Sequence, residues 1–278
     1  MEEDMVQRNH KDTVFHDLFS EKENALSLYN ALNGTEYQDV DNLEIVTLSD
    51  AIYIHKKNDV SVLFHNQLAL WEHQSTINYN MPLRGLIYYA HNIDGILRSS
   101  GVTLYGKQQV KIPAPAYYVF YNGLEEVPAV QDLKLSDAFQ MPAEGYEWTA
   151  HMLNVNAAEN EGLLKRCLVL EGYVKLIQYI QEYQGGGHKL SEAVDMAVKR
   201  CIREDFLKEY LLKKMSEVKL MLITEFDQEL YEKTIREEGA DRLKQLCLKL
   251  ISEKRINDLE HAMQDKDFCN KLFQTYNL

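Results

Sequence analysis

The stretch Val60 to Gln74, VSVLFHNQLALWEHQ, decides the fold. Two runs rich in aliphatic and aromatic residues, Val60 to Phe64 and Leu68 to Trp71, flank the polar pair His65-Asn66, the pattern of a β-hairpin with a two-residue loop. With that loop Phe64 faces Gln67 and Val60 faces Trp71. One step further, the register sets Asp59 across from Glu72, with Cβ atoms about 4.5 to 5.5 Å apart. A four-residue loop on the same centre keeps this register. Gln74 lies two residues beyond Glu72, so strand alternation puts both side chains on one face. Val60, Val62, Phe64, Ala69 and Trp71 line one side of the hairpin, and Leu63, Leu68 and Leu70 the other. A hairpin covered on both sides holds polar residues at a cost unless they are paired or bind metal. Two opposed carboxylates repel each other unless a cation lies between them, which is the spacing at which one divalent ion is shared. By the same argument, removing either acid should relieve a like-charge contact in the metal-free protein. The plainer reading of these residues is a turn at Asn58-Asp59 and a polar strand end from Glu72 to Thr76.

Upstream, Phe15, Leu18, Phe19, Leu26, Tyr29, Ala31 and Leu32 recur at helical spacing from Asp12 to Asn33, with a break near Ser20 and a stop at Asn33-Gly34. Further strands are expected at Glu44 to Leu48 and Ala51 to His55. Downstream, Pro82 suits the first turn of a helix, and Leu83, Leu86, Ile87, Ala90, Ile93 and Leu97 form its apolar stripe to about Ser99. Ala116 to Tyr121, closed by Asn122-Gly123, reads as a buried strand. Strands before and after a helix imply a crossover and a sheet with a helix packed on it. Beyond Leu133 the pattern is helical: Asn156 to Gln184, Lys189 to Leu207, Tyr210 to Leu222, Gln228 to Lys254, and two short segments near Ile256 to Met263 and Asp267 to Tyr276. Gly185-Gly186-Gly187 reads as a linker, since no Lys-Ser/Thr follows it as in a phosphate loop. The expected organisation is an α/β core over residues 1–135 and a mostly helical subdomain over residues 136–278.

Thirty Lys and Arg oppose 43 Asp and Glu, a net charge of −13 over 278 residues. Such a balance argues against nonspecific coating of nucleic acid, because phosphate binding depends on cations displacing counterions. It leaves room for a small local site: Lys56, Lys57, Arg84, Arg98, Lys107 and Lys111 bracket the Asp59–Glu72 end of the hairpin as a positive rim. Arg84 has two readings, a phosphate contact or a structural ion pair. Charge-free stretches such as Ala114 to Leu124 fall short of the roughly 18 to 20 apolar residues that span a bilayer, so no membrane partner is expected. Met1 to Asp12 has no apolar export region, which points to the cytoplasm. The four cysteines have no zinc-type spacing and read as reduced, half-buried helix residues.

NDVSVLFHNQLALWEHQSTINYNMPLR, from Asn58 to Arg84, resembles the core of the recombination-promoting nuclease/transposase family, a branch of the PD-(D/E)XK nuclease superfamily. KDTVFHDLFSEKENALSLYNAL near the N-terminus, IPAPAYYVFYNG and IREDFLKEYLLKKMSEVKLMLITEFD are similar to the same family, so the likeness runs from Lys11 to about Glu229. It implies a PD-(D/E)XK nuclease-like αβββαβ core in which an acid and the Glu of E-x-K or E-x-Q hold Mg²⁺, or Mn²⁺ in its place, to hydrolyse DNA as an endonuclease. Asp59 matches the first acid and Glu72 the second, both as metal ligands. Gln74 matches the third catalytic position, where most of the superfamily has Lys; a glutamine orients water but brings no positive charge. From the positive rim, Lys56, Lys57 and, in the first of its two readings, Arg84 are the expected nucleic-acid contacts. A second expectation belongs to a different class: a noncatalytic protein that keeps the nuclease fold and uses its helical half to bind a partner or self-associate.

Overall fold

A computed structural model describes residues 13–46, 60–156, 158–253, 255, 258, 261–263 and 265–276. Helix α1 (Val14–Phe19) starts where Thr13 accepts a hydrogen bond from the His16 N–H, and α2 (Lys22–Asn33) ends on Gly34 in the left-handed region. The break between them falls at Ser20, as the spacing predicts.

Strands β1 (Glu44–Ile45), β2 (Val60–Phe64) and β3 (Gln67–Gln74) run antiparallel in sequence. The β2–β3 register is the expected one, Val60 opposite Trp71 and Phe64 opposite Gln67. His65 and Asn66 both have positive φ, 46° and 60°, which makes the loop a type I′ turn whose twist matches that of the strands. Helix α3 (Met81–Ser100) then crosses to β4 (Ala114–Tyr121), which lies parallel to β3 with Glu72 beside Val119 and Gln74 beside Tyr121. The strand expected at Ala51 to His55 lies outside the described residues.

Two further strands depart from the helical reading of the chain beyond Leu133. β5 (Val130–Lys134) and β6 (Thr149–Asn154) pair with each other, and β6 adds to β4 in parallel, so the sheet has six strands in the order β1-β2-β3-β4-β6-β5. β6 reads Thr-Ala-His-Met-Leu-Asn, with few of the β-branched and aromatic residues that mark a strand. Its membership comes from the exposed backbone edge of β4, which a sequence pattern does not display.

The remaining helices are α4 (Glu161–Arg166), α5 (Leu168–Gly185), α6 (Leu190–Arg203), α7 (Lys208–Ser252, kinked at Lys214) and α8 (Lys266–Tyr276). The chain divides into two compact units, one up to Leu222 and one from Ile223 on. The division thus falls well beyond residue 135, because β6 completes the sheet and α5 packs on it. In the second unit Leu246, Leu250, Ala262 and Leu272 form a small core of their own. No helix among the described residues is long and apolar enough to cross a membrane. The cysteines are free, with Cys167 and Cys201 buried.

Strand alternation gives the sheet two unlike faces. Trp71, His73 and Phe120 meet Phe15 and Phe19 of α1 and Tyr173 of α5 in a chain of ring contacts 5.2 to 6.3 Å between centroids. On the other face Leu68, Leu70, Tyr117, Val119 and Tyr121 pack under Met81, Tyr88, Tyr89 and Ile93 of α3. The mean fold is therefore a mixed α/β layer structure.

Candidate functional site

Helix α3 meets the sheet only in part through the residues its aliphatic spacing suggests: Ile93 is buried and Leu97 packs against the core. Leu83, Ile87 and Ala90 are exposed, and the buried line is Met81, Gly85, Tyr88, Asn92 with Tyr89 and Ile93. The helix is rotated because its polar and aromatic residues have partners on the sheet that leucine and isoleucine cannot satisfy. Arg84, Tyr88 and Asn92 are spaced by four, so they lie along one helix face. Below them are Glu72, Tyr117 and Ser61.

Glu72 is the centre of this seam. Its side chain is 2% exposed, and the guanidinium of Arg84, 24% exposed, donates from Nη2 to Oε1 at 3.1 Å. The Tyr117 hydroxyl donates to Oε2 at 2.9 Å. Arg84 also donates to the Tyr88 hydroxyl, at 3.2 Å from Nη2 and 3.4 Å from Nε, and lies 3.4 Å from the Met81 sulfur. Burial alone would lower the Arg84 pKa, but the charge of Glu72 beside it, with Tyr88, holds it further above its usual value. Burial, and then the charge of Glu72, raise the Tyr117 hydroxyl well above the ordinary tyrosine range, so it remains a proton donor. A buried carboxylate held by a charged fork and a neutral hydroxyl meets the requirement that buried charge be paired and hydrogen-bonded.

The approach of Tyr117 depends on Gly85. A Cβ at that position would stand 2.3 Å from two carbons of the Tyr117 ring, so only glycine lets the ring slide beneath the first turns of α3 toward Glu72. Further along the seam the Asn92 amide donates to the Ser61 hydroxyl at 3.2 Å, and Asn92 Oδ1 is buried with no hydrogen-bond partner among the described residues.

Glu72 and Gln74 stand on the α3 side of β3, as strand alternation requires. His73 faces the other way, against Phe15 and Tyr173, which agrees with its reading as a core histidine. Arg84 reaches Glu72, the ion-pair alternative of its two readings. Asp59, Lys56 and Lys57 lie outside the described residues. Arg98, expected on the rim, pairs with Asp94 at 2.8 Å on exposed surface. Within this seam Glu72 is the acceptor for a guanidinium and a buried hydroxyl, which its removal would strand; the like-charge contact expected with Asp59 lies outside the described residues. The sequence alone does not place Tyr117, Ser61, Asn92 or Gly85 in the site, and in it Tyr88 reads as a core or rim aromatic before a base-stacking one. The spacing of polar or small residues at 84, 85, 88 and 92, cutting across the aliphatic stripe, is the signal that would have found them.

Among the described residues no group of three or more His, Cys, Asp or Glu side chains gathers to hold a metal, and the expected site needs Asp59. The donor chemistry present nevertheless suits a hard cation: Glu72 and Gln74 offer carboxylate and amide oxygens. The Arg84 guanidinium rests on Glu72 Oε1. Compared with known proteins, the chain matches no family model, no curated protein and no solved structure.

Proposed function

We propose that this protein is a Mg²⁺-dependent DNA endonuclease of the PD-(D/E)XK type, in keeping with its resemblance to recombination-promoting nucleases, with its centre at Asp59, Glu72 and Gln74. The observation that carries the reading is the hairpin register, Val60 opposite Trp71; Asp59 lies outside the described residues, and the sequence expectation of Asp59 across from Glu72 extends that register by one pair. The succession of helix, three antiparallel strands, crossover helix and parallel strand supports it, being the αβββαβ order that the resemblance implies. Asp59 and Glu72 would hold Mg²⁺, or Mn²⁺ in its place; when bound, such an ion makes a water more acidic and offsets charge on the scissile phosphate. Gln74 orients that water through its amide. Tyr117 fixes Glu72, and Lys56, Lys57 and Arg84 supply contacts to phosphate.

Purified protein incubated with supercoiled plasmid, or with RNA, in Mg²⁺, Mn²⁺ or EDTA tests this. Nicking of plasmid that EDTA stops, and that Asp59→Ala and Glu72→Gln each abolish, is the expected result. Cleavage of RNA alone would change the substrate, and wild-type rates in both variants would remove the site. One observation favours the noncatalytic alternative: both Glu72 oxygens have a protein donor, so the carboxylate also serves to tie α3 to the sheet. Absence of cleavage under every metal condition would select it.

A further inference from the structure

The two oxygens of Glu72 are held in unlike ways. Oε2 takes a hydrogen bond from Tyr117, a neutral group on a central strand whose ring is wedged against Gly85. Oε1 takes one from Arg84, a charged group on a long side chain that is a quarter exposed, in the first turn of α3. The other contacts of Arg84 are to uncharged atoms, the Tyr88 hydroxyl and the Met81 sulfur. Of these two contacts, the one from Tyr117 is fixed and the one from Arg84 is made by a cation that can leave.

We propose that Arg84 is a displaceable counter-ion: its guanidinium neutralises Glu72 in the metal-free protein and gives up Oε1 when a divalent cation enters. This rests on the metal-binding reading of Glu72 given above. Mg²⁺ binds oxygen at about 2.0 to 2.1 Å. An ion that close to Oε1 would face a guanidinium nitrogen now 3.1 Å from the same oxygen, and two positive charges at such separation in a buried site repel strongly. That repulsion favours the state in which Arg84 has moved away. Arg84 can move toward solvent, where its charge is hydrated, while Tyr117 keeps Glu72 in place. The exchange leaves the carboxylate neutralised in both states, so the apo protein never carries a bare buried anion. It also makes Arg84 and the metal competitors, with a coupling that must act in both directions.

Mn²⁺ binding to the full chain, followed by calorimetry and by the electron-spin signal of free Mn²⁺, tests the exchange without reference to activity. Arg84→Met should bind Mn²⁺ at least about fivefold more tightly than wild type, the lower end of ordinary site coupling. The gain should vanish in the double variant Arg84→Met/Glu72→Gln. Equal or weaker binding by Arg84→Met, or a gain that survives in the double variant, overturns the proposal. If Arg84→Met does not fold without metal, Arg84→Lys carries the test: it keeps the charge but loses the fork, so it should bind more tightly than wild type by a smaller factor, and equal or weaker binding overturns the exchange. Failure of every variant to bind Mn²⁺ overturns the exchange and the metal reading together. Tighter binding by Arg84→Met in a protein that cuts neither DNA nor RNA supports the exchange and overturns only the nuclease reading.

Discussion

The two faces of the sheet solve the same packing problem with different chemistry. Toward α1 and α5 the interface is a run of rings, Phe15, Phe19, Trp71, Phe120 and Tyr173, with His73 among them. Toward α3 the packing is also dense, but a polar line crosses it: Glu72 with Arg84, Tyr88 and Tyr117, then Ser61 with Asn92. Apolar contact is nondirectional, and it tolerates substitution so long as volume is kept. A buried ion pair contributes little net stability and is strongly destabilising when halved. The aromatic face thus supplies stability, and the α3 face spends some of it to hold a carboxylate in a set position.

That contrast predicts its own largest effect. Trp71→Ala on the aromatic face should cost about 3 to 5 kcal/mol, as for other large-to-small changes in a core. Chemical denaturation should show a lower midpoint, while the Mn²⁺ affinity of the fraction that stays folded is unchanged. A loss of metal affinity as large as that of Glu72→Gln would show the faces to be coupled.

The next effect is on the polar side. Glu72→Ala should destabilise by about 2 kcal/mol, below the 3 to 5 of a fully buried pair because Arg84 can turn toward solvent. The Tyr117 hydroxyl has no such exit. Glu72→Gln keeps an acceptor for it and should melt between wild type and Glu72→Ala. A thermal melt of the three proteins in EDTA checks the order, and a Glu72→Ala protein that melts at or above wild type would mean that the seam is not held by this carboxylate.

Much of the sheet was legible because its deciding strands obey simple rules. Alternation in Val60 to Gln74 fixed the faces, the length of the loop fixed the register, and Pro82, Gly34 and Asn122-Gly123 marked ends. β5 and β6 were not legible: Val130–Lys134 and Thr149–Asn154 are short and polar, and only a neighbouring strand edge makes them strands. The burial of α3 was misread for a related reason. Counting aliphatic residues points to Leu83 and Ile87, yet the helix turns Gly85, Tyr88 and Asn92 inward to meet Tyr117, Glu72 and Ser61, which approach from distant parts of the chain. Tyr117 reaches Glu72 across 45 residues of sequence, and no local pattern encodes that contact.

Gly85→Ala probes the boundary between the two kinds of packing. Its methyl group would fall on the Tyr117 ring at 2.3 Å, so the ring or the helix must shift, at about 1 to 3 kcal/mol for an overpacked core. A shift of the ring also lengthens its bond to Glu72. The variant should therefore bind Mn²⁺ more weakly than its loss of stability explains, which a titration at a temperature where it is fully folded will show. Unchanged binding would mean that Tyr117 does not position the carboxylate.

The smallest effect sharpens the comparison from the other side, among the helices behind the aromatic face. There the Tyr179 hydroxyl donates to Glu204 at 2.6 Å, and Arg200 bonds the other oxygen of Glu204 at 3.0 Å while lying over the Tyr179 ring. Unlike Glu72, which is 2% exposed, Glu204 is 34% exposed, beside a buried Tyr179. The Tyr179 hydrogen bond, followed by that of Arg200, lowers the Glu204 pKa below its usual 4.5. A carboxylate with a depressed folded pKa adds stability at neutral pH, and that stability fades as pH falls from 4.5 through the folded value. Burial, and then Glu204, push Tyr179 up to about 12 from 10. A group with a raised folded pKa adds stability below its unfolded value, and here that stability fades as pH rises from 10 toward 12. Tyr179→Phe removes both arms at once. Its loss of melting temperature relative to wild type should be small and flat from about pH 5 to 10, and should shrink on either side, since wild type then loses what the variant already lacks. A difference that is the same at pH 3.5, 7 and 11 would show that the ring alone, and not its hydroxyl, is what the helices use.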